Sequence, residues 1–516
     1  MKRIRKLLVA ATGMAFLAAP VAVTATDVIG LVTLRAVTTN LDGSGIRVAQ
    51  PEATLSGSSP IWEVNPANVG QPVALFTYLA AAGVTNVYPN SLSANSWHAD
   101  GVANNFYGFT GVATNVAHVD NSDADWFITN YVFSPLPPPV GDAIVNQSFT
   151  FGSLSVAVQQ AVDSAYDDYA FYYGTLFVSA VANGGQVCAP GTDYNCIGVA
   201  AYGGSSSIGP TLDNGRCKPD ITAPEGATSF STPLVSGAAA VLMQAALRGD
   251  GGSDTNSAFD MRTIKALLLN GAVKPANWTN AAASPLDARY GAGVVNVFNA
   301  YEQLAGGKQN FCASNSVATG TAHPPVAATN SVAANSGWDF ESLTSGATND
   351  AVNHYFFNVS NGLATVTLVW NRQLGQTNIN DLDLFLFNAA NSNLVACSTS
   401  RVDNVEHLFV PQLATGRYDL QVLKNGGTNV VSDAETYALA WAFVSPTVAL
   451  VKSGTNVALS WPVYPAGFLA EAGTNLAGGI WSTNNLPVSV ITNSRNSLIL
   501  NATNAQQFFR LRSPNF

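Results

Sequence analysis

Short apolar runs alternate with longer amphipathic segments from Asp27 to about residue 306. Three runs have the length and composition of buried strands: Gly45–Gln50, Ala143–Asn146 and Thr175–Val181. Three longer segments have the pattern of helices: Leu154–Ala170, Pro233–Leu247 and Asp260–Asn270. Strands that alternate with helices predict an α/β fold, with a mostly parallel sheet flanked by helices.

The pattern changes after this region. Residues 307–345 are rich in Ala, Thr, Ser and Asn with little periodicity, and we expect a linker or irregular extension there. Residues 346–445 then contain four strand-like runs without helices: Ala364–Trp370, Asp381–Phe387, His407–Val410 and Arg417–Val422. This pattern predicts a β-sandwich, which resembles the jelly-roll type.

Residues 446–516 form a second predicted β-module, which resembles small immunoglobulin-like or fibronectin-like modules. Its strand-like segments are Val457–Trp461, Gly467–Leu469, the surroundings of Trp481, and Phe508–Leu511.

Residues 1–25 have the features of a secretory signal peptide. Four of the first six residues are basic, an apolar run covers Leu7–Ala19, and Val23-Thr24-Ala25 offers a cleavage site of small residues. The run is short for a membrane span, although an uncleaved anchor is the alternative. We therefore predict a protein that is secreted, periplasmic or attached to the cell surface.

The charge balance limits the partners of the exported chain. Removal of the four basic residues of the leader leaves 18 Lys and Arg against 32 Asp and Glu, a net charge of −14. This charge argues against nucleic acid and anionic membranes as partners. We predict no membrane span in the mature chain.

Five cysteines are present, and they are expected to be structural. Cys188 and Cys196 bracket a short loop and are expected to pair in an oxidising compartment. Cys217, Cys312 and Cys397 cannot all pair, so at least one thiol is free or intermolecular. Neither a Cys-x-x-Cys pair nor a His/Cys cluster indicates zinc.

Ser229 is the first candidate catalytic residue. The segment Lys218–Gly237 places this serine on a turn that runs into a helix of small residues. A hydroxyl at such a helix start lies beside unpaired N–H groups and the positive end of the helix dipole, which favour a developing oxyanion. The alternative is that Ser229 only caps the helix.

This segment resembles the nucleophile motif of subtilisin-like serine peptidases, Gly-Thr-Ser-x-Ala/Ser-x-Pro, preceded by Lys-Pro-Asp-x-x-Ala-Pro. Ala227 stands in place of the usual glycine and would strain the turn if that position needs φ > 0. Leu234 stands where a histidine often follows the proline. The resemblance implies a subtilisin-like catalytic domain over residues 26–306, followed by accessory β-modules.

The resemblance also implies a base. Trp97–Ala103 resembles the family's His-Gly/Ala-Thr-x-Val-Ala helix start and gives His98 this role. His118 is the other histidine of the α/β region. It is predicted to lie in a strand and to be structural.

The acid departs from the family pattern. Gly43–Glu52 matches Gly-x-Gly-Val-x-Val-Ala-Val-Ile-Asp, with Glu52 in the place of the aspartate. A carboxylate of either length can orient the imidazole. The alternatives are an ordinary surface glutamate in a decayed site, or Asp42 as the acid, although Asp42 is expected at the far end of the strand.

The oxyanion and substrate contacts follow from two further segments. Val178–Gly185 resembles Ala-Ala-Gly-Asn-x-Gly and implies Asn183 as the oxyanion donor, with Ala182 and Gly184 lining the pocket. An Asn-Gly hairpin turn is the alternative. Asn146 and Ser148, in Asn-x-Ser-hydrophobic, resemble the opposite pocket wall.

No cofactor is predicted. Calcium is common in the family, but no EF-hand-like pattern is present. Asp120, Asp123 and Asp125 either bind calcium or form a solvated acidic loop, and we favour the loop. Asp381 and Asp383 alternate with leucines, which predicts the wet face of a strand.

The leading prediction is a secreted serine endopeptidase that hydrolyses peptide bonds in proteins through an acyl-enzyme, with a Glu52–His98–Ser229 triad. The alternative is a catalytically decayed subtilisin-like protein that serves in binding at the cell surface. A glycan-binding scaffold fits only the C-terminal third. The sequence predicts no oligomeric state.

Overall fold

The computed structural model describes residues 25–55, 61–428, 430–476, 480–483, 486–492, 495–501 and 506–512. The predicted signal peptide lies outside the described residues, apart from Ala25.

The α/β domain, which comprises the described residues up to 306, is built on an eight-stranded sheet. Its ten strands are β1 (Arg47–Glu52), β2 (Ile61–Glu63), β3 (Phe76–Ala80), β4 (Gly83–Thr85), β5 (Ala94–Asn95), β6 (His118–Asp123), β7 (Ile144–Gln147), β8 (Leu176–Ala180), β9 (Ile197–Ala201) and β10 (Ile221–Ala223). The sheet order is β10-β9-β8-β7-β1-β6-β3-β4, all parallel except for β4, while β2 and β5 form a small separate pair. The strand order reverses at β1, and such sheets place their sites at the carboxyl end of that position.

Helices cover both faces of the sheet, as the alternating pattern predicts. They are α1 (Ala25–Val28), α2 (Leu31–Val37), α3 (Trp97–Phe106), α4 (Ala124–Phe127), α5 (Val156–Tyr173), α6 (Thr228–Leu247), α7 (Thr255–Phe259), α8 (Met261–Gly271) and α9 (Val297–Ala305). A 3-10 turn at Val73–Leu75 and a π turn at Ile128–Val132 complete the set.

Helix α6 is the core helix of this domain. Its small residues allow close packing: a Cβ on Gly237 would come within 2.5 Å of the Val112 Cβ. Within the described residues, α6 is also the one helix long and apolar enough to cross a membrane, and 83% of its most apolar window is buried inside the protein.

Two antiparallel sheets form the β-sandwich. Its strands are β11 (Ala313–Ala318), β12 (Ser336–Thr344), β13 (Asn349–Val359), β14 (Gly362–Trp370), β15 (Leu382–Asn388), β16 (Asn393–Ser398), β17 (Val405–Leu413), β18 (Gly416–Lys424) and β19 (Ala434–Val444). The sheet orders are β11-β13-β18-β15-β16 and β12-β19-β14-β17. Apolar side chains from both sheets, including Trp370 and Trp441, meet between them.

The prediction of an irregular linker over 307–345 is wrong for two segments. Strands β11 and β12 lie within it and form one edge of each sheet. The composition of β11 does not indicate a strand, because its residues are small. They lie at a sheet edge and are alternately half-buried and exposed. In β12, Trp338 is fully buried and contributes to the core of the α/β domain.

The C-terminal module contains β20 (Ala449–Ser453), β21 (Asn456–Pro462), β22 (Leu469–Gly473), β23 (Val490–Thr492), β24 (Arg495–Asn501) and β25 (Phe508–Arg512). These strands form two small sheets, β20-β21-β24-β23 and β22-β25, around Leu459 and Trp461.

The α/β domain and the β-sandwich share a buried polar interface. Arg372 pairs with Asp167 at 2.7 Å, and the amide of Asn404 donates to the carbonyl of Tyr194. Nearby, the buried amine of Lys274 faces the buried imidazole of His407 across the same interface.

The predicted pairing of Cys188 with Cys196 is wrong, since all five cysteines are free thiols. The Cys196 thiol is fully buried and donates to the backbone carbonyls of Asp193 and Pro190, at 3.4 and 3.6 Å. The Cys188 thiol contacts the carbonyl of Gln186. Each sulfur thus has its own local acceptor.

Two expectations for acidic residues also need correction. Asp383 does not lie on a wet strand face: it is 9% exposed and accepts a hydrogen bond from Asn425 at 2.9 Å. Asp120 and Asp123 belong to β6 and not to a loop. The carboxylate of Asp123 caps α4 by accepting from the N–H of Trp126, and Asp125 lies in the first turn of that helix.

Candidate active site

The predicted triad residues converge at the carboxyl end of the sheet. Glu52 is the last residue of β1, His98 is the second residue of α3, and Ser229 is the second residue of α6. The parallel sheet and the packing of α3 against α6 bring these three chain segments together.

His98 and Glu52 form a hydrogen-bonded pair. The imidazole Nδ1 lies 2.8 Å from the Glu52 Oε2, and the side chains are 18% and 2% exposed. Burial works to lower the pKa of His98, but the hydrogen bond and the charge of Glu52 outweigh it and leave the pKa raised. Glu52 is therefore not a surface glutamate, and its extra methylene is accommodated without loss of contact.

A buried amide holds Glu52 in place, and sequence reasoning missed it. The Gln50 side chain donates to the Glu52 Oε1 at 2.8 Å and to the Ala99 carbonyl at 3.0 Å. The Tyr107 hydroxyl in turn donates to the Gln50 Oε1 at 2.6 Å. Strand periodicity was the available signal, because residues 50 and 52 of one strand point to the same face.

The start of α3 fixes the imidazole. The Ser96 hydroxyl caps the helix by accepting from the N–H of Ala99. The His98 ring is flanked by Trp97, at 5.8 Å between centroids, and by Phe230, at 5.7 Å. Since Phe230 follows Ser229 directly, this contact ties the base to the nucleophile segment.

The turn before Ser229 is not strained. Ala227 has φ −144° and ψ 149°, which is extended backbone that any residue adopts, so the alanine in place of the family's glycine carries no penalty there. The Ser229 hydroxyl donates to the Ser148 carbonyl at 3.3 Å. Among the described residues it makes no hydrogen bond to His98. Such bonds often tighten only with substrate bound.

Asn183 is anchored beside the nucleophile. Its Oδ1 accepts from the backbone N–H of Thr228 at 2.8 Å and from the Thr228 hydroxyl at 3.0 Å. Because both of those groups donate to the oxygen, the amide nitrogen of this exposed side chain remains available as a donor. The N–H of Ser229, in the first turn of α6, has no acceptor within the helix. These two donors can receive an oxyanion.

The four predicted substrate contacts differ in position. Gly184 is exposed and Ala182 is half-buried, with φ angles of +111° and +88°. Ser148 is 3% exposed, and its hydroxyl donates to the Ser229 carbonyl at 2.8 Å.

The side chain of Asn146, the fourth predicted substrate contact, is fully buried and does not face solvent. Its Oδ1 accepts from Ser236 and its amide donates to Ser148. Asn146 thus supports the nucleophile segment through its contacts with Ser148 and Ser236.

Two residues considered for the site lie elsewhere. His118 is at the start of β6, in register with Arg47 at the start of β1, and contacts Thr77 and Asp120. Asp42 accepts hydrogen bonds from the backbone and hydroxyl of Ser44. Both therefore lie at the amino end of the sheet, opposite to Glu52.

The Lys-Pro-Asp segment before the nucleophile forms a buried ion cluster. The carboxylate of Asp220 pairs with Lys218 at 2.6 Å and with Lys265 at 3.1 Å, and it accepts from the N–H of Gly198. The cluster fixes β10, from which the chain enters the nucleophile turn.

Among the described residues, no group of three or more His, Cys, Asp or Glu is arranged to hold a metal ion.

Comparison with known proteins gives one family match. The model of the Subtilase family matches residues 101–293, a range that includes Asn183 and Ser229 and excludes Glu52 and His98. No curated protein matches the chain.

Similar solved structures include three whose own chains are almost completely covered. The protease domain of PatA has 21% identity and a TM-score of 0.35, covering 52% of this chain and 98% of its own. A protease from Pseudoalteromonas arctica PAMC 21717 has 19% identity and a TM-score of 0.35, with 54% and 94% covered. The PatG macrocyclase, in complex with peptide, has 17% identity and a TM-score of 0.35, with 53% and 95% covered.

The family match supports peptidase activity in general. The matched range includes the nucleophile motif and the strands from β6 to β10 of the mostly parallel sheet. The chain therefore contains a subtilisin-like α/β domain, which the Subtilase family model matches over residues 101–293, followed by all-β modules.

Proposed function

We propose that this protein is a secreted serine endopeptidase with a Glu52–His98–Ser229 triad. The 2.8 Å hydrogen bond between the His98 Nδ1 and the buried Glu52 carboxylate carries the proposal. A histidine that is held through Nδ1 can accept a proton from a serine hydroxyl at its Nε2. The segment of Ser229 contacts the same ring through Phe230.

Each step of the proposed reaction uses residues of this chain. The Ser229 hydroxyl attacks the peptide carbonyl while the His98 Nε2 takes its proton, and Glu52 stabilises the imidazolium. The Asn183 amide and the Ser229 N–H receive the oxyanion. His98 then gives its proton to the leaving amine, which produces an acyl-enzyme on Ser229. Water, activated by the same base, releases the acid.

Labelling with a fluorophosphonate probe tests this proposal. The purified mature protein is expected to react at one serine, and Ser229→Ala and His98→Ala are expected to abolish the labelling. A correctly folded protein that does not react would contradict the peptidase and favour the alternative, a decayed subtilisin-like binding protein. Cleavage of an unfolded protein substrate, followed by mass spectrometry, would then establish endopeptidase action.

Secretion is a separate part of the proposal, and the basic and apolar leader supports it. N-terminal sequencing of exported protein is expected to begin at Thr26, after Val23-Thr24-Ala25. An intact leader on membrane-bound protein would indicate an anchor instead.

A further inference from the structure

Trp97 is exposed, unlike most large apolar side chains among the described residues. Of the nine tryptophans, it alone is exposed, with 68% of its surface accessible. Within the described residues its indole N–H makes no hydrogen bond to the protein. Trp97 therefore contributes little to the stability of the fold, although a tryptophan offers more apolar contact area than any other side chain.

Trp97 lies beside the proposed base. Its ring meets the His98 imidazole edge-on, with centroids 5.8 Å apart and an angle of 80°. The Ser96 cap fixes the first turn of α3 and so fixes where both rings emerge.

The second aromatic neighbour of the imidazole, Phe230, is tightly packed. Phe230 lies 5.7 Å from His98, and it packs so tightly on Gly101 that a Cβ there would approach the Phe230 Cε1 to 2.6 Å. The imidazole thus contacts one tightly packed aromatic ring and one exposed aromatic ring.

The reaction places substrate next to this open ring. A base that takes the proton of Ser229 and returns it to the leaving nitrogen must lie at the scissile bond. A side chain adjacent to that base is then within reach of a substrate residue that adjoins the bond. The loop that carries Asn183 has only Ala182, Gly184 and Gly185 beside it, so this loop presents little apolar surface.

We propose that Trp97 forms the wall of a substrate subsite beside His98 and selects peptides with a bulky apolar or aromatic side chain at one residue adjoining the scissile bond. This inference rests on the proposed function. Burial of the indole against such a side chain supplies binding energy that a small or charged residue does not supply.

The test compares cleavage of a peptide library, varied on both sides of the scissile bond, by the full chain and by Trp97→Ala. The variant is expected to lose about tenfold or more in kcat/KM for peptides with Phe, Tyr or Leu at one position, and little for peptides with Ala there. Trp97→Phe is expected to restore most of the preference. Tyr172→Ala is the matched control, because Tyr172 is 67% exposed and lies on α5, away from the cleft.

Two further measurements keep the result interpretable. The ratio of peptide cleavage to fluorophosphonate labelling is expected to fall in Trp97→Ala for the preferred peptides, because the small probe does not fill a peptide subsite. Binding of the preferred peptide to Ser229→Ala protein is expected to weaken when Trp97→Ala is added.

An unchanged cleavage profile, or an equal loss for every peptide, would overturn the subsite, the second result indicating that Trp97 only positions His98. Wild-type protein that neither reacts with the probe nor cleaves any peptide would instead overturn the proposed function, and the subsite with it.

Discussion

Two imidazoles of this protein, the half-buried His98 and the fully buried His407, have opposite electrostatic surroundings. In the α/β domain, His98 faces the carboxylate of Glu52, and its pKa is raised although burial opposes this. In the β-sandwich, the Nδ1 of His407 contacts the Thr367 hydroxyl, and Lys274 lies nearby as the charged group. Burial and that lysine lower the pKa of His407 well below its ordinary value.

The difference shows that the partner, and not burial alone, decides what a buried base can do. His98 has an acid that stabilises its charged form, so it can gain and lose a proton during a reaction. His407 and Lys274 form a pair of bases on two sides of an interface. The Lys274 amine donates to the Ala292 carbonyl and lies 4.9 Å from the Trp278 ring. Neither base has a carboxylate partner among the described residues, so burial favours the neutral form of each.

The largest effect is expected when the charge of Glu52, the acid partner of His98, is removed. Glu52→Gln keeps the shape of the side chain but cannot stabilise the imidazolium, and it allows the wrong tautomer of His98. We expect kcat to fall by a factor on the order of 10⁴, or about 5 kcal/mol. Steady-state kinetics on the best peptide measures this, with Glu52→Asp as the control that keeps the charge. Equal activities of wild type and Glu52→Gln would remove Glu52 from the triad.

The next largest effect is expected when Lys274, which has no carboxylate partner among the described residues, is replaced. Burial lowers the pKa of Lys274 to about 7 from 10.5. The unfolded chain takes up this proton near pH 10.5 and the folded chain near pH 7, so the folded state loses stability as the pH falls across that window and loses no more below it. Lys274→Met is expected to raise the free energy of unfolding at pH 7 by about 2–3 kcal/mol, after the lost hydrogen bond is counted.

Chemical denaturation at several pH values between 7 and 9 measures this effect. Wild-type stability is expected to rise with pH more steeply than that of Lys274→Met. Lys308→Met, at a partly exposed lysine that pairs with Asp254, is the control and should bring no gain. A Lys274→Met protein that is less stable than wild type at pH 7 would mean that the amine is paired in solution.

A smaller effect is expected from the side chain that positions the acid. Gln50→Leu preserves the buried volume but removes the donor to Glu52 and the acceptor of Tyr107. We expect kcat to fall about tenfold to a hundredfold with little change in KM, because the carboxylate is present but less well placed. Tyr107→Phe, which removes one hydroxyl from the same chain of contacts, should lose less. Intact activity of Gln50→Leu would show that the sheet alone orients Glu52.

The sequence predicts one of these two regions and not the other. Ser229, His98 and Asn183 lie in local motifs whose residue types and spacing reflect the chemistry directly, and the strand ending at residue 52 follows from its apolar run. The roles of Gln50 and Asn146 depend on contacts between distant segments, for which local patterns give only the face of a strand. The electrostatic interaction of Lys274 with His407 joins two domains, and no periodicity in either segment indicates the other. For the same reason, the edge strands of residues 307–345 were missed, since their state depends on the sheets that they complete.

The smallest test is the pH dependence of activity, which separates the two imidazoles directly. His98 must be neutral to accept the proton of Ser229, and its pKa is raised, so the acid limb of kcat/KM should lie above pH 6.5. Its pairing with Glu52 stabilises the folded state below pH 6.5 and ceases to do so as the pH rises through the raised pKa. His407 acts with the opposite sign, because its lowered pKa makes the folded state lose stability as the pH falls below 6.5. His407→Gln should therefore leave the acid limb of activity unchanged while it reduces the loss of stability between pH 6.5 and 5. An acid limb below pH 6.5, or one that moves with His407→Gln, would mean that the base of this site is not held by Glu52 as the geometry indicates.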